Sequence, residues 1–94
     1  MKRQLEPFIR IFKINGCTFQ LVKVESGQWE IRMPMVYQDM MIADELSQIY
    51  GFDVDRVERH KSDSQSIIAF NTGFCDGTVC SEVAKILESV LRTA

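Results

Sequence analysis

The 94-residue sequence has no apolar run approaching the roughly 18 residues that a bilayer-spanning helix needs. It therefore predicts no membrane segment. Met1-Lys2-Arg3 is basic, but Gln4, Glu6 and Pro7 follow where a secretory leader would be apolar, so no signal peptide is expected. There is no basic excess either. Eleven Lys and Arg face thirteen Asp and Glu, for a net charge of −2, which leaves no footprint for nucleic acid. The acidity is too mild and too mixed to mimic a polyanion. Histidine occurs once and cysteine three times, with no Cys-x-x-Cys spacing. An odd cysteine count without a leader favours free thiols in a reducing cytoplasm.

What is present describes an ordinary globular chain. Apolar residues make up 46% and charged residues 26%, which excludes disorder, and the length suits a single domain over residues 1–94. The clearest element lies at the C-terminal end, from Asp76 to Ala94. Val79, Val83, Ile86, Leu87, Val90 and Leu91 line one face at helical spacing, with Glu82, Lys85, Glu88, Ser89 and Arg92 opposite. The span from Thr78 to Arg92 would be about 22 Å long, enough to cross a small sheet.

The N-terminal half reads as strands. Phe8 to Ile14 and Cys17 to Val24 are rich in β-branched and aromatic residues and flank Asn15-Gly16. Asn-Gly between two such runs predicts a type I′ hairpin, which pairs Ile14 with Cys17, Phe12 with Phe19 and Arg10 with Leu21. A turn at Glu25 to Gln28 leads to a third strand, Trp29 to Met33, which stops near Pro34. The sequence allows two registers for it. A two-residue Ser26-Gly27 turn puts Trp29, Ile31 and Met33 with Ile9, Ile11, Val22 and Val24, and one extra loop residue moves them to the face of Phe12, Phe19 and Leu21. In either register both faces of the meander carry apolar side chains, so two covers are expected: helices on each side, or one helix layer and a partner.

Tyr37 to Tyr50 predicts the first helix, with Asp39 as its cap, Ile42, Leu46, Ile49 and Tyr50 as its stripe, and Gly51 as the left-handed residue that ends it. Val54 to Arg59 is read as a strand although Val54 and Val57 do not alternate. Lys61 to Ser66 reads as a loop, and Ile67 to Phe70 as a buried strand. The expected fold is α+β, an antiparallel sheet of about five strands with two helices in the order β-β-β-α-β-β-α. That order is similar to the order in type III secretion chaperones without their first helix, a resemblance of element order with no motif behind it.

Few residues suggest chemistry. Asn71, Thr72, Gly73, Phe74, Cys75, Asp76, Gly77 and Thr78 join a strand to the last helix and could form a ligand loop lined with backbone N–H groups. Neither the P-loop ending nor the dinucleotide spacing is there. The plainer reading is a turn whose N-cap is Asp76 or Thr78. Cys75, near a helix start, is the candidate reactive thiol, with His60 its only possible imidazole partner. Cys17, Cys75, Cys80 and His60 could be counted as four zinc ligands, but Cys17 and Cys80 fall at core positions, so no metal and no cofactor is expected. Asp53, Asp55, Asp44 and Glu45 read as solvated carboxylates. The basic run Arg56, Arg59, His60 and Lys61 is cancelled by Asp53, Asp55, Glu58 and Asp63.

Met33, Met35, Met40 and Met41 cluster with Tyr37, and Trp29 sits beside a turn. Adaptable methionines and tryptophan recur at protein-binding surfaces, and the alternative is that they fill the core. With no catalytic constellation, the reading is a small cytoplasmic protein-interaction module, homodimeric, with Trp29, Met33, Met35, Tyr37, Met40 and Met41 as its surface. Small acidic domains of this kind suit adaptors, secretion chaperones, or inhibitors carried on phage and mobile elements. The competing class is a small-molecule binder or enzyme that uses the Asn71 to Thr78 loop.

Overall fold

The structure, a computed structural model, describes residues 8–35 and 38–92. Strands β1 (Phe8–Ile14), β2 (Cys17–Lys23) and β3 (Trp29–Pro34) are followed by helix α1 (Asp39–Ser47), strands β4 (Phe52–His60) and β5 (Gln65–Thr72), and helix α2 (Asp76–Arg92). The strands form one antiparallel sheet in the order β1-β2-β3-β5-β4. This is the α+β arrangement that the sequence pattern predicts.

The first hairpin has the predicted register, Ile14 with Cys17 and Phe12 with Phe19, around Asn15 and Gly16 at φ +51° and +78°. Both central residues are left-handed, as a type I′ turn requires. The Asn15 side-chain amide also donates to the Leu91 carbonyl at 2.9 Å, which ties the turn to the end of α2.

The second turn takes the longer of the two expected forms. Val24 and Gln28 close a three-residue loop, with the Gly27 N–H donating to the Val24 carbonyl at 2.8 Å and Gly27 at φ +92°. That geometry is a tight turn followed by a left-handed glycine bulge. It pairs Lys23 with Trp29 and Leu21 with Ile31, so Trp29, Ile31 and Met33 join Phe12, Phe19 and Leu21 on the core face. Glu30 and Arg32 take the other face.

Both helices lie on that same core face. α1 packs against β4 and β5, α2 against β1, and the two helices touch each other. The apolar stripe of α2 (Val79, Val83, Ile86, Leu87, Val90 and Leu91) is buried as its periodicity predicts. At about 25 cal/mol per Å² of apolar surface removed from water, this joint core supplies most of the driving force for folding. An aromatic row runs along it: Trp29 stacks on Phe70 with centroids 6.3 Å apart, Phe70 on Phe52 at 5.7 Å, and Phe52 on Phe74 at 5.7 Å.

Three expectations are corrected. β4 starts at Phe52 and carries a bulge between Val54 and Arg56. The extra residue lets both Val54 and Val57 face the core, which is why they do not alternate in sequence. Helix α1 is shorter than Tyr37 to Tyr50 (Tyr37 lies outside the described residues) and ends at Ser47, so Gly51 is left-handed at φ +87° but closes the turn into β4. A Cβ there would lie 2.6 Å from the Phe74 ring.

Asp39 is not the cap of α1. It is the first helical residue, and Gln38 before it makes no side-chain cap bond. Its carboxylate is fully buried and turned into the protein. Arg59 on β4 grips it with Nε to Oδ2 at 2.8 Å and a terminal nitrogen to Oδ1 at 2.7 Å, and the buried Ser66 hydroxyl donates to Oδ2 at 2.8 Å. Hydrogen bonding from Arg59 outweighs the desolvation and holds the Asp39 carboxyl below its ordinary value. The clasp joins the start of α1 to the two strands beneath it.

Asp39→Ala strands the Ser66 hydroxyl and removes a bidentate pair. Because the guanidinium is half-exposed and can turn to water, the expected loss is about 2–3 kcal/mol, read as a lower urea midpoint. With its folded-state pKa depressed, Asp39 stabilises the fold above its unfolded value near 3.9, and that share is lost as pH falls through the lower folded value. Acidification below about pH 4 should therefore cost the natural chain more stability than it costs Asp39→Asn. Equal acid losses in the two proteins would contradict the clasp.

Candidate functional site

Two surfaces carry the residues that the sequence singles out. The first is the strand-to-helix loop. Asn71, one residue before the end of β5, is in solvent, the Thr72 hydroxyl accepts the Phe74 N–H at 3.2 Å, and Phe74 leans on Phe52. The first bond of α2 runs from the Val79 N–H to the Cys75 carbonyl at 3.0 Å, which places Cys75, and not Asp76 or Thr78, at the N-cap. Asp76 instead pairs with Lys23 at 3.2 Å, and Lys23 lies 5.3 Å from the centre of the Trp29 ring. A Cβ built on Gly73 or Gly77 would meet no neighbour within 4 Å, so neither glycine is there to admit a close approach.

Cys75 is exposed, and its Sγ lies 3.3 Å from the Thr78 hydroxyl. Hydrogen bonds from the Thr78 side chain first, and from the Thr78 and Gly77 backbone N–H groups, favour the thiolate and lower its pKa. Cys80, one turn on, is buried, and desolvation raises its pKa. His60 is no partner for Cys75. It ends β4 beside Glu58 at 2.9 Å, whereas Cys75 follows the end of β5 that pairs with Phe52. Nine strand residues, roughly 28 Å, separate the two ends. Among the described residues no three His, Cys, Asp or Glu side chains gather closely enough to hold a metal ion.

The second surface is the apolar one. Trp29 and Met33 are fully buried in the core and take no part in it, a correction to the reading that made them surface anchors. The three-residue loop at Gly27 is the cause. Met35, Met40 and Met41 do reach solvent, and Tyr37 lies outside the described residues. Met41 lines a shallow groove between α1 and α2 with Asp44, Glu45, Gln48, Ser89 and Val90.

The sheet face opposite the helices is graded. Across it run Ile9, Val22, Glu30, Ala69 and Arg56 in one row, and Ile11, Gln20, Arg32, Ile67 and Glu58 in the next. On the β3 and β4 side, the charges pair among themselves, Arg32 with Glu30 at 2.9 Å and Arg56 with both Asp55 and Glu58. On the β1 side, Ile9 and Ile11 are each 54% exposed. Of the basic run of the sequence, Arg56 and His60 meet local acids, whereas Arg59 reaches the distant Asp39, a contact that no sequence spacing signals.

No helix of the described chain is long and apolar enough to cross a membrane. Comparison with family models, with characterised proteins and with solved structures finds no match to this chain.

The Cys75 geometry yields a measurable outcome. Its thiol should titrate below the ordinary 8.5 or so and react with a chromogenic disulfide well before Cys80, and Thr78→Val should slow it. A Cys75 no faster than Cys80 would contradict the assigned hydrogen bonds.

Proposed function

We propose that this chain is a small protein-interaction module of the cytoplasm, an adaptor, chaperone-like or inhibitor protein that works as a homodimer and binds a protein partner. One observation carries the reading: both helices cover the same side of the sheet, which leaves Ile9 and Ile11 in solvent on the other. Burying exposed aliphatic side chains against a partner gains about 1.5–3 kcal/mol for each one fully covered. The self-paired charges on β3 and β4 form a polar border beside the apolar strip, as interfaces commonly have.

The exposed, thiolate-favouring Cys75 supports a second reading, a small-molecule binder or enzyme using the Asn71 to Thr78 loop. A neighbouring base would strengthen it, and His60 sits at the far end of β4.

Capture from nuclease-treated host lysate separates the two. The natural chain and Cys75→Ser should both retain one stoichiometric protein, and Ile9→Glu, at an exposed position that leaves the core untouched, should lose it. Retention by Ile9→Glu, or loss in Cys75→Ser alone, would contradict the module reading and favour the loop.

A further inference from the structure

We infer that the homodimer of the reading above, on which this inference rests, forms by antiparallel pairing of β1 with β1 of a second copy, centred on Ile11. Among the described residues the sheet has two edges, β1 and β4, and they differ. β4 is broken by a bulge and carries Asp53, Asp55, Arg56, Glu58, Arg59 and His60, devices that keep an edge from pairing. β1 has seven residues in unbroken register with β2 and no acidic residue.

The hairpin fixes which backbone groups are available. Around a two-residue turn the flanking pair, Ile14 with Cys17, is hydrogen-bonded, so the alternation continues through Phe12, Arg10 and Phe8. The N–H and C=O groups of Ile9, Ile11 and Lys13 therefore point out of the sheet. An Ile11-centred twofold pairs Ile9 with Lys13, Ile11 with Ile11 and Lys13 with Ile9 of the second copy, each exchanging backbone bonds.

Charge selects this register. A shift one way places Arg10 opposite Arg10 at the closest approach of such a ladder, about 4.5 Å. A shift the other way pairs Phe8 with Gly16, inside a turn whose left-handed backbone cannot extend the ladder. Centred on Ile11, all seven residues pair, and each Arg10 faces a Phe12 ring. The exposed isoleucines of both copies then merge into one strip across the joined sheets, where the protein partner docks.

Sedimentation and charge variants test the register. The natural chain should sediment at twice its 10.8 kDa mass. Ile11→Glu sets two carboxylates face to face and should weaken the dimer at least tenfold, about 1.4 kcal/mol. Ile9→Glu sets a carboxylate opposite Lys13 and should leave the dimer as tight or tighter. For a readout independent of these charges, Ile11→Cys in a Cys75→Ser background should oxidise to a linked dimer, since hydrogen-bonded pairs lie about 5.5 Å apart. Ile9→Cys alone should not, its two copies being roughly 14 Å apart. A chain that sediments as one copy, a dimer indifferent to Ile11→Glu, or cross-linking through Ile9→Cys and not Ile11→Cys overturns the inference. Because Ile9→Glu keeps the dimer and removes the partner, failure of the dimer and failure of the interaction reading show up separately.

Discussion

One residue in the turn between β2 and β3 decides which side of the sheet is the inside. With Gly27 left-handed after a tight turn, the loop is three residues long, and Trp29, Ile31 and Met33 fall beneath the helices. A loop one residue shorter would bury Glu30 and Arg32 in their place, because a slip of one position exchanges the two faces of a strand. The aromatic row from Trp29 to Phe74 and the mixed character of the opposite face both follow from that turn.

Given that face, the helices divide it. α2 covers the β1 side through an aliphatic stripe and is held at its end by Asn15, while α1 covers the β4 side and is held at its start by Asp39. The two attachments differ in kind. Asn15 satisfies a carbonyl that any helix leaves without a partner at its C-terminus. Asp39 is a buried charge, tolerated because Arg59 and Ser66 supply its hydrogen bonds.

Sequence alone makes the local features legible. Asn15-Gly16 demands its turn, the stripe of α2 its helix, and the order of elements its antiparallel sheet. What is not legible depends on contacts between distant residues or on backbone choices that several residues permit. Gly27 suits a two-residue or a three-residue loop, so Trp29 and Met33 can be read as surface when they are core. The Asp39–Arg59 pair spans twenty positions, and Asp39 resembles a cap from its place in the sequence. The bulge at Asp55 disguises β4 by breaking its alternation. Cys75 holds the N-cap that Asp76 and Thr78, by residue type, are better suited to fill.

The uncovered face is what links this architecture to function. Its charged half is satisfied within the chain, and its apolar half ends at an edge strand whose outer backbone groups face no other strand among the described residues. Residue-resolved amide exchange of β1 tests that account most directly. Arg10, Phe12 and Ile14, bonded to β2, should be protected at every concentration. Ile9, Ile11 and Lys13 should gain protection as the protein concentration rises. If those three amides exchange fast at all concentrations while their neighbours stay protected, β1 is a bare edge and the account fails.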